Sequence, residues 1–194
     1  MMMAEVQQKD RYNLGAQKFN MWIFIFTSFM FFAALSSGFI VYSGGKGHGL
    51  DVIMPQAFMY STVVIIISSA TYYIAAKAAR ELQFKKQQLF LWATFFLGVA
   101  FFFIQIYAWY VLTYKMGIYF INPNASRTFI YVFTGMHLLH IIAALLLLLN
   151  TILSTYRNIP QVKNLYKMEL TGIFWHFLDI IWIYLYVFLL LNQR

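Results

Sequence analysis

The chain contains no cysteine. That absence excludes disulfides, iron–sulfur clusters, thiolate-bound copper and covalently attached haem c, whose attachment motif needs cysteine. Acidic residues are also scarce: six Asp and Glu stand against fourteen Lys and Arg in 194 residues, and charged residues make up only 10% of the chain. A soluble domain carries about 25% charged residues, so this chain lacks the polar surface needed to fold alone in water. Prolines number three, and none lies deep inside an apolar run. Hydrophobic residues fill the space instead, at 62% of the total with 21% aromatic and a mean hydropathy of +0.67.

Five apolar runs follow a polar N-terminal tail over residues 1–18: about 19–42, 55–76, 89–114, 128–151 and 170–191. Each reaches the ~20 residues that a ~30 Å hydrocarbon core requires. The predicted fold is therefore all-α, a polytopic membrane protein with a single transmembrane domain of five helices. The tail carries Glu5, Lys9, Asp10, Arg11 and Lys18. It is too long and too charged for the n-region of a cleaved signal, and reads as a retained, solvated segment. The connections are short and polar. Gly44–Gly49 reads as a flexible turn region. It is not a P-loop, because Lys46 is followed by Gly rather than Ser or Thr and no strand precedes it. Asn122-Pro123-Asn124 is turn chemistry.

The net charge of +8 does not indicate a nucleic-acid partner, because the basic residues sit in short segments between apolar runs. Ten of them fall on the tail and on the second and fourth connections (Lys9, Arg11, Lys18, Lys77, Arg80, Lys85, Lys86, Arg157, Lys163, Lys167). The other side has four (Lys46, Lys115, Arg127, Arg194). The positive-inside rule then places the N-terminus in the cytoplasm and the C-terminus outside, with Trp22, Trp92 and Trp175 near the inner interface. Small residues four apart, Ala34 and Gly38 in the first helix and Thr71, Ala75 and Ala79 in the second, mark candidate packing seams.

Ionisable groups inside a span are costly, about 2.5–3.5 kcal/mol at mid-helix, so each is a functional candidate. They are few: His137 and His140 on helix four, His176 and Asp179 on helix five, and Glu169 at the inner start of helix five, with Gln105 the main amide of helix three. The spacing within each pair, i to i+3, puts both members on one helix face. At 1.5 Å per residue, His140 and Asp179 lie roughly 16 and 14 Å above the inner boundary, level on consecutive helices. Three readings compete. A metal or haem site needs imidazoles that face each other, yet Met136, Leu138, Leu139, Trp175 and Phe177 leave no slot for a porphyrin. A proton path made of three imidazoles and one carboxylate is a short relay. A structural polar lock between helices four and five is the reading these residue types favour, since lipid cannot satisfy their hydrogen bonds.

Several of these residues sit in recognisable company. Phe133-Thr-Gly-Met-His137-Leu-Leu-His140 resembles the G-F-H-G-x-H-V helix of cytochrome c oxidase subunit III. Trp175-His176-Phe-Leu-Asp179-Ile-Ile-Trp182 is similar to that family's W-H-F-V-D-V-V-W, with Glu169 matching its upstream acid. Ile67-Ser68-Ser69-Ala70-Thr71 resembles its L-S-S-x-T helix, and Leu97-Gly98 followed by Gln105 its L-G…Q helix. Two departures stand out: Ser28 occupies the place of the acid in the family's S-E-V-M-F-F stretch, and Ala108 lies near a second missing acid. The resemblance is to a five-helix form of the family, one expected to be without the two N-terminal helices that wall a lipid-holding cleft in longer relatives.

The resemblance implies an accessory subunit of a haem–copper terminal oxidase in the bacterial cytoplasmic membrane. Such a subunit has no catalytic, metal or cofactor-binding residue of its own, and haem and copper belong to partner subunits. It braces the catalytic subunit I and supports proton uptake, often with bound phospholipid. Under this reading His137, His140, His176, Asp179, Gln105 and Glu169 form an intramembrane polar network. Alternatives are the same subunit in a quinol oxidase or a nitric-oxide-reducing relative, a haem-bearing membrane cytochrome, or a proton-coupled transporter. The transporter would usually show internal repeats or broken helices, and none is found.

Overall fold

The computed structural model describes residues 2–46, 50, 52–120, 124–156 and 160–193, with side chains of the first helix described for residues 15–45. The described residues form α1 (Met2–Lys46), α2 (Gln56–Arg80), α3 (Phe84–Tyr110), α4 (Ala125–Tyr156) and α5 (Gln161–Leu191), and α3 continues into a π-helical turn, Val111–Lys115. All five are long and apolar enough to cross a membrane. The chain is a multi-pass membrane protein.

Most helices outrun their apolar runs. The runs end where hydrocarbon ends, but a helix once formed propagates at one hydrogen bond per added residue, so α5 begins at Gln161 rather than Leu170 and α1 takes in most of the tail. The same reason corrects the predicted turn at Gly44–Gly49. Gly44, Gly45 and Lys46 form the last turn of α1, and Gly47–Gly49 lie outside the described residues, as do Asn122 and Pro123. Asn124 caps α4, its Oδ1 accepting from the Ser126 N–H at 3.1 Å. Pro55 and Pro160 stand immediately before α2 and α5, where a missing N–H costs nothing.

The basic second connection shrinks to three residues. Gln83 N–H donates to Ala78 O at 2.9 Å, closing α2 across Leu82, which takes a φ of 58°. This tight reversal makes α2 and α3 the closest antiparallel pair. α4 and α5 form the centre, with α1 against both of them, α2 against α5, and α3 against α4. The interior is aromatic: Phe32, Phe39, Phe101, Phe133, Trp175 and Trp182 are all essentially fully buried.

Glycine sets two of the closest approaches. A Cβ on Gly98 would lie 2.7 Å from Trp175 Cη2 and 2.9 Å from Leu145 Cδ2, and one on Gly172 would lie 2.8 Å from Tyr72 Cε1. Trp175 therefore lies over Gly98 in the core at 1% exposure, not in an interfacial belt, because the side chain missing from Gly98 leaves room for the indole. Of the predicted seams, Ala75 and Ala79 are buried. Ala34 and Gly38 face outward, with Phe129 the nearest atom to Gly38 at 4.0 Å.

Candidate functional site

The candidate residues do not form one network. They separate into five contacts, each joining a different set of helices.

His140 reaches α1. Its Nδ1 lies 2.8 Å from Met136 O, and its Nε2 lies 3.2 Å from Ser28 Oγ. A carbonyl only accepts, so Nδ1 carries a proton toward Met136 O. The Ser28 hydroxyl also donates to Phe24 O, 2.8 Å away.

His137, one helical turn away, has no such partner. It is fully buried, and neither ring nitrogen has a hydrogen bond. The rings of Phe32, Phe101 and Trp182 surround it at centroid distances of 6.4, 5.9 and 5.1 Å. The imidazole acts as one more aromatic ring in a cluster that joins α1, α3, α4 and α5.

His176 turns to α2. Its Nδ1 lies 2.7 Å from Ser69 Oγ and 3.7 Å from Asp179 Oδ2. Asp179 is buried beside it, its carboxyl turned to the same His176 and Ser69. Gln105 is fully buried on α3 and donates from Nε2 to Ser61 Oγ on α2 at 2.9 Å. Glu169 forms an ion pair with Lys18, joining α5 to α1 at a half-exposed position.

The predicted lock between helices four and five is thus made by other residues. Thr151 Oγ1 and Thr171 Oγ1 lie 2.9 Å apart, and Lys167 Nζ donates to Ser154 Oγ at 3.1 Å. The level of His140 and Asp179 along their helices says nothing about azimuth, and His140 points to α1 instead. Sequence reasoning also missed Trp182 Nε1 to Thr62 Oγ1 at 3.0 Å, Tyr184 OH to Ser36 Oγ at 2.8 Å, Trp109 Nε1 to Thr134 Oγ1 at 2.9 Å and Tyr72 OH to Met168 O at 2.6 Å. Hydroxyl and indole groups occur throughout these helices, and no local signal separates those that face a neighbour from those that face lipid.

Among the described residues, no cluster of three or more His, Asp and Glu side chains has the geometry to hold a metal ion. His137 is enclosed by rings, His140 uses both nitrogens within the bundle, and His176 is committed to Ser69 at Nδ1.

The quoted motifs meet in pairs across helices: Ser69 with His176, Gly98 with Trp175, and His137 with Trp182. Comparison with known proteins finds similar chains. Cytochrome c oxidase subunit 3 of Alkalihalophilus pseudofirmus is 26% identical over 178 residues, covering 89% of this chain and 85% of the relative. Cytochrome bo(3) ubiquinol oxidase subunit 3 of Pseudomonas aeruginosa is 29% identical over 174 residues, covering 87% and 81%. Cytochrome c oxidase subunit 3 of Bacillus subtilis is 26% identical over 179 residues, covering 89% and 84%. Residues 10–192, nearly the whole of the bundle whose helices these motif pairs join, match one family, and the chain belongs to it: cytochrome c oxidase subunit III.

Proposed function

We propose that this chain is the accessory, non-redox subunit III of a respiratory haem–copper terminal oxidase, a complex that reduces dioxygen to water and translocates protons. The observation that carries this reading is the family match over residues 10–192. The chain braces the catalytic subunit I and supports proton uptake, with haem and copper held by its partners and phospholipid bound along its flanks. The separate commitments of the three imidazoles support the non-redox part. His137, His140, His176, Asp179, Gln105 and Glu169 hold helices in place and have no catalytic role. The ten-to-four distribution of basic residues supports a cytoplasmic N-terminus and an outer C-terminus.

The test is co-expression of a tagged chain with its oxidase partners. A haem–copper catalytic subunit should co-purify, and the chain should be more thermally stable in that complex than alone. The complex should show a Soret band that the isolated chain lacks. A stoichiometric Soret band in the isolated chain would overturn the non-redox role, and equal stability in both contexts would overturn the bracing role. The 29% identity to the quinol oxidase subunit of P. aeruginosa favours a second reading, the same role in a quinol-driven complex. The co-purified complex decides between them by oxidising either reduced cytochrome c or a quinol.

A further inference from the structure

Two cavities open between α2 and α5 and share Tyr73 and His176, so they lie end to end. The first, of about 750 Å³, has Lys77 and Arg80 in its lining. The second, of about 660 Å³, is walled by Ile66, Ala70, Ile180 and Ile183, with Ser69, His176 and Asp179 as its polar members. Those three are turned to one another: His176 Nδ1 lies 2.7 Å from Ser69 Oγ and 3.7 Å from Asp179 Oδ2. This end of the channel therefore holds an occupant by apolar contact.

The other end is charged. Lys77 and Arg80 stand in the last turn of α2 at i and i+3, on one face of the helix. Both are exposed, and neither has an ion pair among the described residues. Glu169, the acid in the same lining, is paired with Lys18. Two uncompensated cations thus sit at the head of a channel whose far part is apolar. From Lys77 to Ile66 the channel runs roughly 16 Å by helical rise, close to the ~15 Å of hydrocarbon in one leaflet. Ile66 lies near the middle of α2 (Gln56–Arg80), and the lining goes no farther along that helix. A partner helix crossing the membrane would follow both leaflets, whereas a lipid occupies one.

We infer that this channel binds an anionic phospholipid, with its phosphate at Lys77 and Arg80 and an acyl chain laid past Tyr73 and His176 toward Ile66 and Ile183. Basic pockets between transmembrane helices attract anionic headgroups. A zwitterionic headgroup brings a cation of its own and sets it against Lys77 and Arg80, so the net negative charge is what the site selects. The accessory-subunit reading leaves the lipid unspecified. This inference assigns it a face, a depth and a headgroup charge, and it stands on the membrane fold whether or not that reading holds.

Native mass spectrometry of the full chain in detergent, offered phosphatidylglycerol or phosphatidylcholine with the same acyl chains, reads the headgroup preference. The wild type should retain phosphatidylglycerol over phosphatidylcholine. Lys77→Gln combined with Arg80→Gln should reduce that preference about thirtyfold, the effect of two cations close to an anionic headgroup. Lys85→Gln combined with Lys86→Gln removes the same charge from the first turn of α3, outside both linings, and should leave the preference intact. An equal loss in both double variants, or no preference in the wild type, would overturn the inference. Displacement of the lipid by inorganic phosphate alone would reduce the site to an anion site without a chain and would overturn it too. The absence of cysteine allows a second arm. Ile180→Cys, at a position 66% exposed in the channel, is labelled with a photoactivatable maleimide in native membranes and should capture phospholipid. Capture of a protein subunit there would show that the channel is an interface and not a lipid site.

Discussion

Ser28 Oγ lies 3.2 Å from His140 Nε2, tying α1 to α4 at the position that, by resemblance, matches the acid of the S-E-V-M-F-F stretch. The departure from the motif and the second histidine of another motif are thus in contact. A hydroxyl keeps a polar partner for the imidazole without placing a charge in the membrane. The contact helps to seat α1, which carries no Asp, Glu, Lys, Arg or His between Lys18 and Lys46, in the bundle.

That contact predicts a measurable coupling. Ser28→Ala and His140→Phe, alone and combined, form a double-mutant cycle whose interaction energy should be about 0.5–2 kcal/mol, as for other interhelical hydrogen bonds in membranes. Thermal or denaturant unfolding in detergent reads it. An energy indistinguishable from zero would mean that Phe24 O takes the Ser28 hydrogen entirely.

Glycine substitutions should separate sharply by position. Gly98→Ala puts a methyl 2.7 Å from a buried indole whose other side is packed, and should destabilise by about 1–3 kcal/mol through overpacking. Gly172→Ala meets Tyr72 at 2.8 Å, and that ring is held by its hydroxyl on Met168 O, so a similar loss is expected. Gly38→Ala meets nothing closer than 4.0 Å and should stay within about 0.5 kcal/mol of wild type. Unfolding midpoints of the three variants check the order.

The threonine pair between α4 and α5 should matter modestly. Thr151→Val or Thr171→Val keeps the shape and removes one hydroxyl of a 2.9 Å contact. Each should cost about 0.6 kcal/mol, the average for such bonds in membranes, and the double variant should cost little more than either single one.

The exposed ion pair should matter least. Lys18 and Glu169 are 42% and 48% exposed, so Glu169→Gln should leave the unfolding midpoint close to that of the wild type. A larger loss in an unfolding titration would mean that lipid headgroups seal this pair from water.

Orientation is checked by reporters. Fusions at Asn192 and at Lys163 should give opposite signals, the first outside and the second inside, as the basic asymmetry predicts. The same signal from both would break the five-span topology.

Hydropathy and chain length determine the number of helices, because a span needs an apolar length and little else. The family motifs, too, are readable in the one-dimensional order of residues. Composition limits the candidate polar residues to a handful, since each ionisable group in a membrane is costly. Which of them meet is another matter. His140 bonds α1 rather than α5, His137 sits among rings with no hydrogen bond, and the α4–α5 link falls to Thr151 and Thr171. In a helix that is apolar all round, periodicity does not reveal the inward face. Only the packing of helices against one another, set by Gly98 under Trp175 and Gly172 under Tyr72, turns each side chain toward its partner. It is the same packing that leaves Asp179 buried beside an open groove.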